Sequence, residues 1–290
     1  MRGNCMACKR VAVIGSGTMG RGIAHVSALA GYETHMFDIA DDVLEKARKA
    51  IGKNLQKGVD RGKVSAEAMG SALGNLQVGT DLASAAAGSD FIIEAVPEKL
   101  DLKREIFASL EANAPDHAVL ASNTSTIPIT QIADGVKQPE RVIGMHFFNP
   151  VHIMKLIEII KGSKTSEETV TRTEEVSRAM GKETVLVNES PGFVTSRMNA
   201  LIGNEAFRML EEGVASAEDI DKALKLGLNH PMGPFELVDL VGLDARLNNL
   251  RSLHAELGDL YKPSPLLEKM VSEGRLGKKS GKGVYEYETE

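Results

Sequence analysis

Apolar and polar positions change rhythm once along this chain. Short runs rich in β-branched and apolar residues recur at Val11–Ile14, Thr34–Phe37, Phe91–Val96, Ala118–Ser122, Val142–Phe147, Leu156–Ile160 and Thr184–Val187. Helical segments separate most of them, which is the alternation of a doubly wound α/β sheet. After Pro191 the strand signal stops. The rest reads as amphipathic helices punctuated by Gly213, Gly227, Pro231, Gly233 and Pro234, and Ser216 with Asp219 predicts a capping box. The expected architecture is an α/β domain over 1–189, with a helical insertion near 40–72, then an all-helical domain over 190–290. A cleft between the two is the expected place for chemistry.

The first apolar run leads directly into a phosphate-binding pattern. Val11 to Ile14 is followed by Gly15-Ser16-Gly17-Thr18-Met19-Gly20 and then by a helical stretch. In a strand-to-helix turn of this Gly-x-Gly-x-x-Gly type, Gly15 permits the tight turn and Gly17 lets the backbone approach a pyrophosphate. Gly20 permits close packing of helix on strand. The backbone N–H groups at Thr18 and Met19, with the helix dipole, favour the phosphates. The next strand ends at Asp38, whose carboxylate can accept from an adenosine ribose diol and so selects NAD. Asp41 and Asp42 would repel a 2′-phosphate, and no arginine follows Asp38 directly. The glycines alone say little, but strand, glycines, helix, strand and terminal acid together predict a Rossmann-type nucleotide domain.

Composition narrows the remaining possibilities. With 42% hydrophobic and 26% charged residues in 290, the chain can bury a sizeable core without staples. Its longest apolar runs, such as Phe91–Ile93, fall far short of a membrane span, and Met1–Arg10 has no apolar signal region, so the expectation is a cytoplasmic protein. A net charge of −6 argues against nucleic acid as a partner. The two cysteines, Cys5 and Cys8, cannot complete a zinc site and precede the first strand; no metal site and no catalysis are expected of them. One basic stretch stands out. Lys46, Lys49, Lys53 and Lys57 share a helical face opposite Leu44, Ala47, Ile51 and Leu55, with Arg61 and Lys63 just beyond. It reads either as a solvated face or as a landing surface for a polyanionic handle such as the phosphates of coenzyme A.

The candidate chemistry lies past the nucleotide half. His146 closes one predicted strand and Glu158, flanked by isoleucines, sits in the next. A carboxylate buried there needs a partner to offset its desolvation, and the short connection between the runs lets His146 supply it. An imidazole held by a carboxylate is fixed in one tautomer and stabilised when it takes a proton, which suits oxidation of a hydroxyl group. Ser125, in Ala121-Ser122-Asn123-Thr124-Ser125 after a strand, is placed either to bond a substrate oxygen or to shape a turn.

With these residues in hand the chain resembles the L-3-hydroxyacyl-CoA dehydrogenases, in particular their short bacterial 3-hydroxybutyryl-CoA dehydrogenase type. The resemblance runs over nearly the whole sequence. It rests on Val13 to Gly20, Ala121 to Ser125, His146-Phe147-Phe148-Asn149-Pro150, Pro191-Gly192-Phe193 and His230-Pro231-Met232-Gly233-Pro234-Phe235-Glu236-Leu237. It implies reversible oxidation of a 3-hydroxyacyl-CoA to the 3-ketoacyl-CoA with hydride passing to NAD, His146 as general base and Glu158 as its orienting partner. Ser125 and Asn149 correspond to contacts with substrate and the nicotinamide end of the cofactor, and Glu98, Lys103 and Lys279 to further cofactor contacts. Asn54, Lys57 and Arg61 fall near the coenzyme A contacts. Ser196 stands where the family commonly has Asn, a shorter group with one donor for a substrate carbonyl. The resemblance also implies a homodimer formed through the helical domain. Two alternatives stay open at this point: an NAD-dependent dehydrogenase of a free hydroxy acid or sugar acid, which the basic helix argues against, and a cofactor-binding structural protein without turnover.

Overall fold

The structure is a computed structural model, and it describes residues 8–288. The chain divides into two compact units at Ser190–Pro191. The first holds an eight-stranded sheet built from β1 (Arg10–Ile14), β2 (Glu33–Phe37), β3 (Leu76–Gly79), β4 (Phe91–Glu94), β5 (Val119–Ser122), β6 (Val142–Phe147), β7 (Leu156–Lys161) and β8 (Glu183–Asn188), in the order β3-β2-β1-β4-β5-β6-β7-β8. The first six strands are parallel; β7 runs antiparallel to β6 and parallel to β8. Strand β3 was not visible in the hydrophobic pattern, because Leu-Gln-Val-Gly is short and only half apolar; its pairing with β2 defines it.

Central strands buried on both faces read as continuous apolar runs, and Val11, Ala12, Val13 and Ile14 all have 0% exposure. The order of the strands reverses between β1 and β4, the switch point beside which open α/β sheets bind ligands at the carboxyl ends of their strands. Register makes that edge level: Phe37 pairs with Ile14, Ile14 with Glu94, Glu94 with Ser122 and Ser122 with Gly144. Every loop leaving this row emerges on one side of the sheet.

The connecting helices of this unit are α1 (Thr18–Leu29), α2 (Asp41–Asp60), α3 (Ala66–Asn75), α4 (Leu82–Ala86), α5 (Leu100–Asn113), α6 (Ile129–Ala133) and α7 (Glu167–Ala179). Helix α2 buries the apolar stripe its spacing predicts, Leu44, Ala47, Ile51 and Leu55.

The second unit is helical: α8 (Thr195–Glu211), α9 (Ala217–Gly227), α10 (Pro234–Val241), α11 (Leu243–Leu257) and α12 (Pro265–Ser272). Its core gathers Ala200, Phe207, Phe235, Leu247, Leu250 and Leu267, with the rings of Phe207 and Phe235 edge to face at 5.2 Å. Ser216 caps α9 as its spacing predicts, accepting from the Asp219 amide at 3.1 Å. Asp221 receives the amides of Phe235 and Glu236 at 2.8 and 3.1 Å, so α10 is capped from its neighbour. Among the described residues no helix is long and apolar enough to cross a membrane.

Candidate active site

The nucleotide loop leaves β1 at Gly15, whose φ of +101° is open to glycine and strained for other residues; a Cβ there would stand 2.8 Å from the Ala95 carbonyl oxygen. At Gly20 a Cβ would overlap the Gly15 carbonyl, so this glycine is what brings α1 down onto the strand. Gly17 has nothing within 4 Å of its missing Cβ and no side chain caps α1 behind it. Open space therefore faces the unshielded helix N-terminus, which is what a pyrophosphate requires. At the end of β2 the Asp38 carboxylate accepts from the Ser16 amide and hydroxyl at 2.7 and 2.6 Å and from the Ile39 amide at 2.8 Å. These bonds aim it at the loop and leave further lone pairs for a ribose diol. The residues present fit NAD.

Next along the row a buried charge network appears. Glu94, with 0% exposure, takes the Lys103 ammonium on both oxygens at 2.7 and 2.9 Å, and also accepts from the Val96 amide and the Ser122 hydroxyl. Lys103 is equally buried and touches Glu98 at 3.3 Å. Glu98 in turn accepts from the Thr124 hydroxyl at 2.5 Å and from the Ser125 and Thr126 amides at 2.9 and 3.1 Å. Burial opposes its ionisation, but Lys103 and these donors outweigh it and hold its carboxyl below the usual range. Lys103, expected among the cofactor contacts, is thus turned to Glu94 and Glu98, and Glu98 holds the loop that carries Ser125. Glu94 escaped the sequence reading although it carried the same signal as Glu158, an acid closing an apolar strand.

His146 and Glu158 lie directly opposite each other on β6 and β7. His146 Nδ1 is 2.8 Å from Glu158 Oε2, the carboxylate fully buried and the imidazole side chain 10% exposed. The Phe148 ring tilts against the imidazole at 4.6 Å between centroids. The Asn123 side chain accepts from the Phe147 amide at 2.9 Å, tying the loop after β5 to the strand that bears the histidine. Asn149 is exposed in the loop just beyond.

The basic stretch is less uniform than its spacing implied. Lys46 and Lys49 pair with Asp42 and Glu45 on their own helix, so their charge is locally answered. Farther along, Asn54, Lys57, Arg61 and Lys63 line a cavity of about 660 Å³ together with Lys155 and Lys182, and among the described residues no acidic side chain lines it. In the second unit, Ser196 lies half-buried in the first turn of α8, and the Lys279 ammonium rests on Asp244 at 2.6 and 2.7 Å. Cys8 is a free thiol, pushed up to about 12 by burial; Cys5 lies outside the described residues. Among the described residues no group of three His, Cys, Asp or Glu side chains could hold a metal ion.

Residues 10–190 match the NAD-binding domain of 3-hydroxyacyl-CoA dehydrogenase and residues 192–287 match its C-terminal domain. The chain belongs to the 3-hydroxyacyl-CoA dehydrogenase family. Among its relatives, a probable 3-hydroxybutyryl-CoA dehydrogenase of Bacillus subtilis is 45% identical over 284 residues, covering 98% of this chain and 99% of the other. The human mitochondrial hydroxyacyl-coenzyme A dehydrogenase is 42% identical over 287 residues, covering 96% and 91%. The crystal structure of (S)-3-hydroxybutyryl-CoA dehydrogenase from Ralstonia eutropha superposes with a TM-score of 0.94 at 39% identity, covering 98% of this chain and 100% of the other. This dehydrogenase is thus an NAD-dependent oxidoreductase of the 3-hydroxyacyl-CoA dehydrogenase family, an enzyme and not a cofactor-binding protein without turnover.

Proposed function

We propose that this dehydrogenase interconverts (S)-3-hydroxybutyryl-CoA and acetoacetyl-CoA, with His146 as general base and Glu158 as its positioning residue. The observation that carries this reading is the buried Nδ1···Oε2 contact at 2.8 Å. With Nδ1 committed to a carboxylate, Nε2 is the ring atom that takes the proton. The substrate C3–O–H loses its proton to Nε2 and its C3 hydride to the oxidant, and the C3=O double bond forms. NAD, when bound, supplies that two-electron oxidation. The imidazolium left behind is balanced by Glu158, and in the reverse direction it returns the proton.

Several supporting assignments follow. Ser125, on the loop Glu98 fixes, bonds the substrate oxygen. Asn149 and Glu98 face the nicotinamide end; Gly15, Gly17, Thr18, Met19, Gly20 and Asp38 hold the rest of the cofactor. Asn54, Lys57 and Arg61 take the phosphates of the coenzyme A handle, which the acid-free lining of their cavity favours. In the second unit, Ser196 is assigned to substrate and Lys279 to cofactor. That unit exposes Val214, Leu226, Leu228, Leu240 and Val241, apolar surface suited to a homodimer.

The test is reduction of acetoacetyl-CoA by NADH, followed by loss of NADH absorbance, alongside acetoacetate, longer 3-ketoacyl-CoAs and NADPH. Wild-type protein is expected to prefer the four-carbon thioester and NADH. His146→Gln, folded by its melting curve, is expected to lose roughly a hundred- to ten-thousandfold in turnover. Near-normal turnover by this variant would remove His146 from the role of base, and equal use of acetoacetate would remove the thioester handle.

A further inference from the structure

The cavity beside α2 contains an element that phosphates alone do not need. His25 of α1 and His152 of the loop between β6 and β7 stack with ring centroids 5.3 Å apart and an interplanar angle of 8°. Among the described residues they are the only planar rings lining it, with no Phe, Tyr or Trp in its wall. His25 is the inner layer, 4% exposed, and His152 is exposed to the cavity. Flanking it, Ile153 and Met154 are 61% and 40% exposed, an apolar rim around the outer ring.

This platform is built rigidly. The Lys182 ammonium, itself buried, donates to the carbonyls of Val151 and Met154, the latter at 2.8 Å, and so clamps the loop on both sides of His152. On the α1 side, a Cβ at Gly22 would stand 2.8 Å from the Val151 side chain, so the glycine is what lets the loop lie against the helix and brings the two rings together. Burial, seconded by the neighbouring ring and by Lys182, lowers the titration of His25 to about 4, and burial with Lys182 lowers that of His152. Both rings therefore present uncharged faces at neutral pH.

Coenzyme A pairs its phosphates with a purine, and a purine gains from lying on a flat ring whatever its substituents. We propose that His152, backed by His25, is a specificity-determining residue that seats the purine of the substrate handle as the third layer of a stack, while Lys57 and Arg61 take the phosphates. This rests on the coenzyme A reading above and adds to it the part of the handle that the cations leave unaddressed. Preorganisation by Lys182 and Gly22 means that little ordering entropy is lost on stacking.

The experiment measures the ratio of KM for acetoacetyl-pantetheine to KM for acetoacetyl-CoA, with NADH saturating, in wild type, His152→Ala, His152→Phe and Lys57→Ala. A ratio within one variant is insensitive to a fraction of misfolded protein. His152→Ala is expected to shrink it about fivefold or more, the low end for one base on one ring, and His152→Phe to restore it to within about twofold. A phenylalanine variant that behaves like the alanine variant, or an alanine variant with the wild-type ratio, overturns the stacking. If Lys57→Ala still shrinks the ratio in that case, the coenzyme A reading stands without it. A wild-type ratio near one would instead overturn both.

Discussion

Replacing Glu158 by glutamine tests the proposed mechanism at its most sensitive atom. The substitution preserves shape in a site where the carboxylate has no exposure and Ile157 and Ile159 are equally buried, so packing changes little. What changes is the partner of His146 Nδ1, now 2.8 Å from Oε2. A carboxylate can only accept, which forces the ring proton onto Nδ1 and leaves Nε2 basic. An amide can donate, and then the proton moves to Nε2 and the base is lost. The same swap also removes the counter-charge of the imidazolium. With charge centres about 4 Å apart and an effective dielectric near 20, that attraction is about 4 kcal/mol, equivalent to roughly a thousandfold. An acid-to-amide change behind the histidine of a serine-protease triad lowers kcat by about ten-thousandfold, so a loss between these figures is expected here. Steady-state rates of NADH oxidation by acetoacetyl-CoA give kcat and KM separately, and thermal melts check the fold. The loss should fall on kcat. A folded variant within tenfold of wild-type kcat, or one impaired only in KM, would refute the reasoning.

Three further outcomes follow from other parts of the structure. Lys103→Met strands the buried Glu94 carboxylate and should cost about 3–5 kcal/mol in urea unfolding, whereas Glu94→Gln with Lys103→Met should recover more than half of that; a double variant no better than the single one contradicts the buried pair. Asp38→Ser removes the acceptor proposed for the ribose and should raise KM for NADH about tenfold or more while lowering KM for NADPH; parallel titrations with the two cofactors decide it. His25 titrates at about 4 in the fold against an ordinary 6.5, so as pH falls between those values the unfolded chain takes up a proton that the buried ring refuses. Stability then declines with acid by up to about 3 kcal/mol, with His152, lowered in the same direction beside Lys182, adding to it. Urea midpoints across this window should flatten in His25→Leu, and an unaltered slope would dismiss the histidine as the cause.

How much of this was legible in the sequence depends on whether a residue's role is local. The glycine loop and Asp38 were readable because the turn, the helix start and the strand end are each written in adjacent residues. The His146–Glu158 pair was readable for a different reason: an acid among isoleucines announces a missing partner, and strand alternation limits which residue can provide it. Glu94 made the same announcement, but its partner, Lys103, comes from a helix rather than a facing strand, so the pairing is not written in strand alternation. Helical spacing alone does not distinguish a lysine turned into the sheet from one turned to solvent. The His25–His152 stack had no sequence signal at all, since it depends on Gly22 letting a distant loop lie against α1. These cases share one physical cause. Register aligns Ile14, Glu94, Ser122 and Gly144 in one row, with His146 two residues beyond it, so each strand delivers a polar group or a turn to the same edge. An acid there is stable only when a neighbouring element answers it, as Ser122 and Lys103 answer Glu94 and His146 answers Glu158. The site is therefore fixed pairwise across the sheet, and a substitution in any one pair should be felt first by the loop its partner holds.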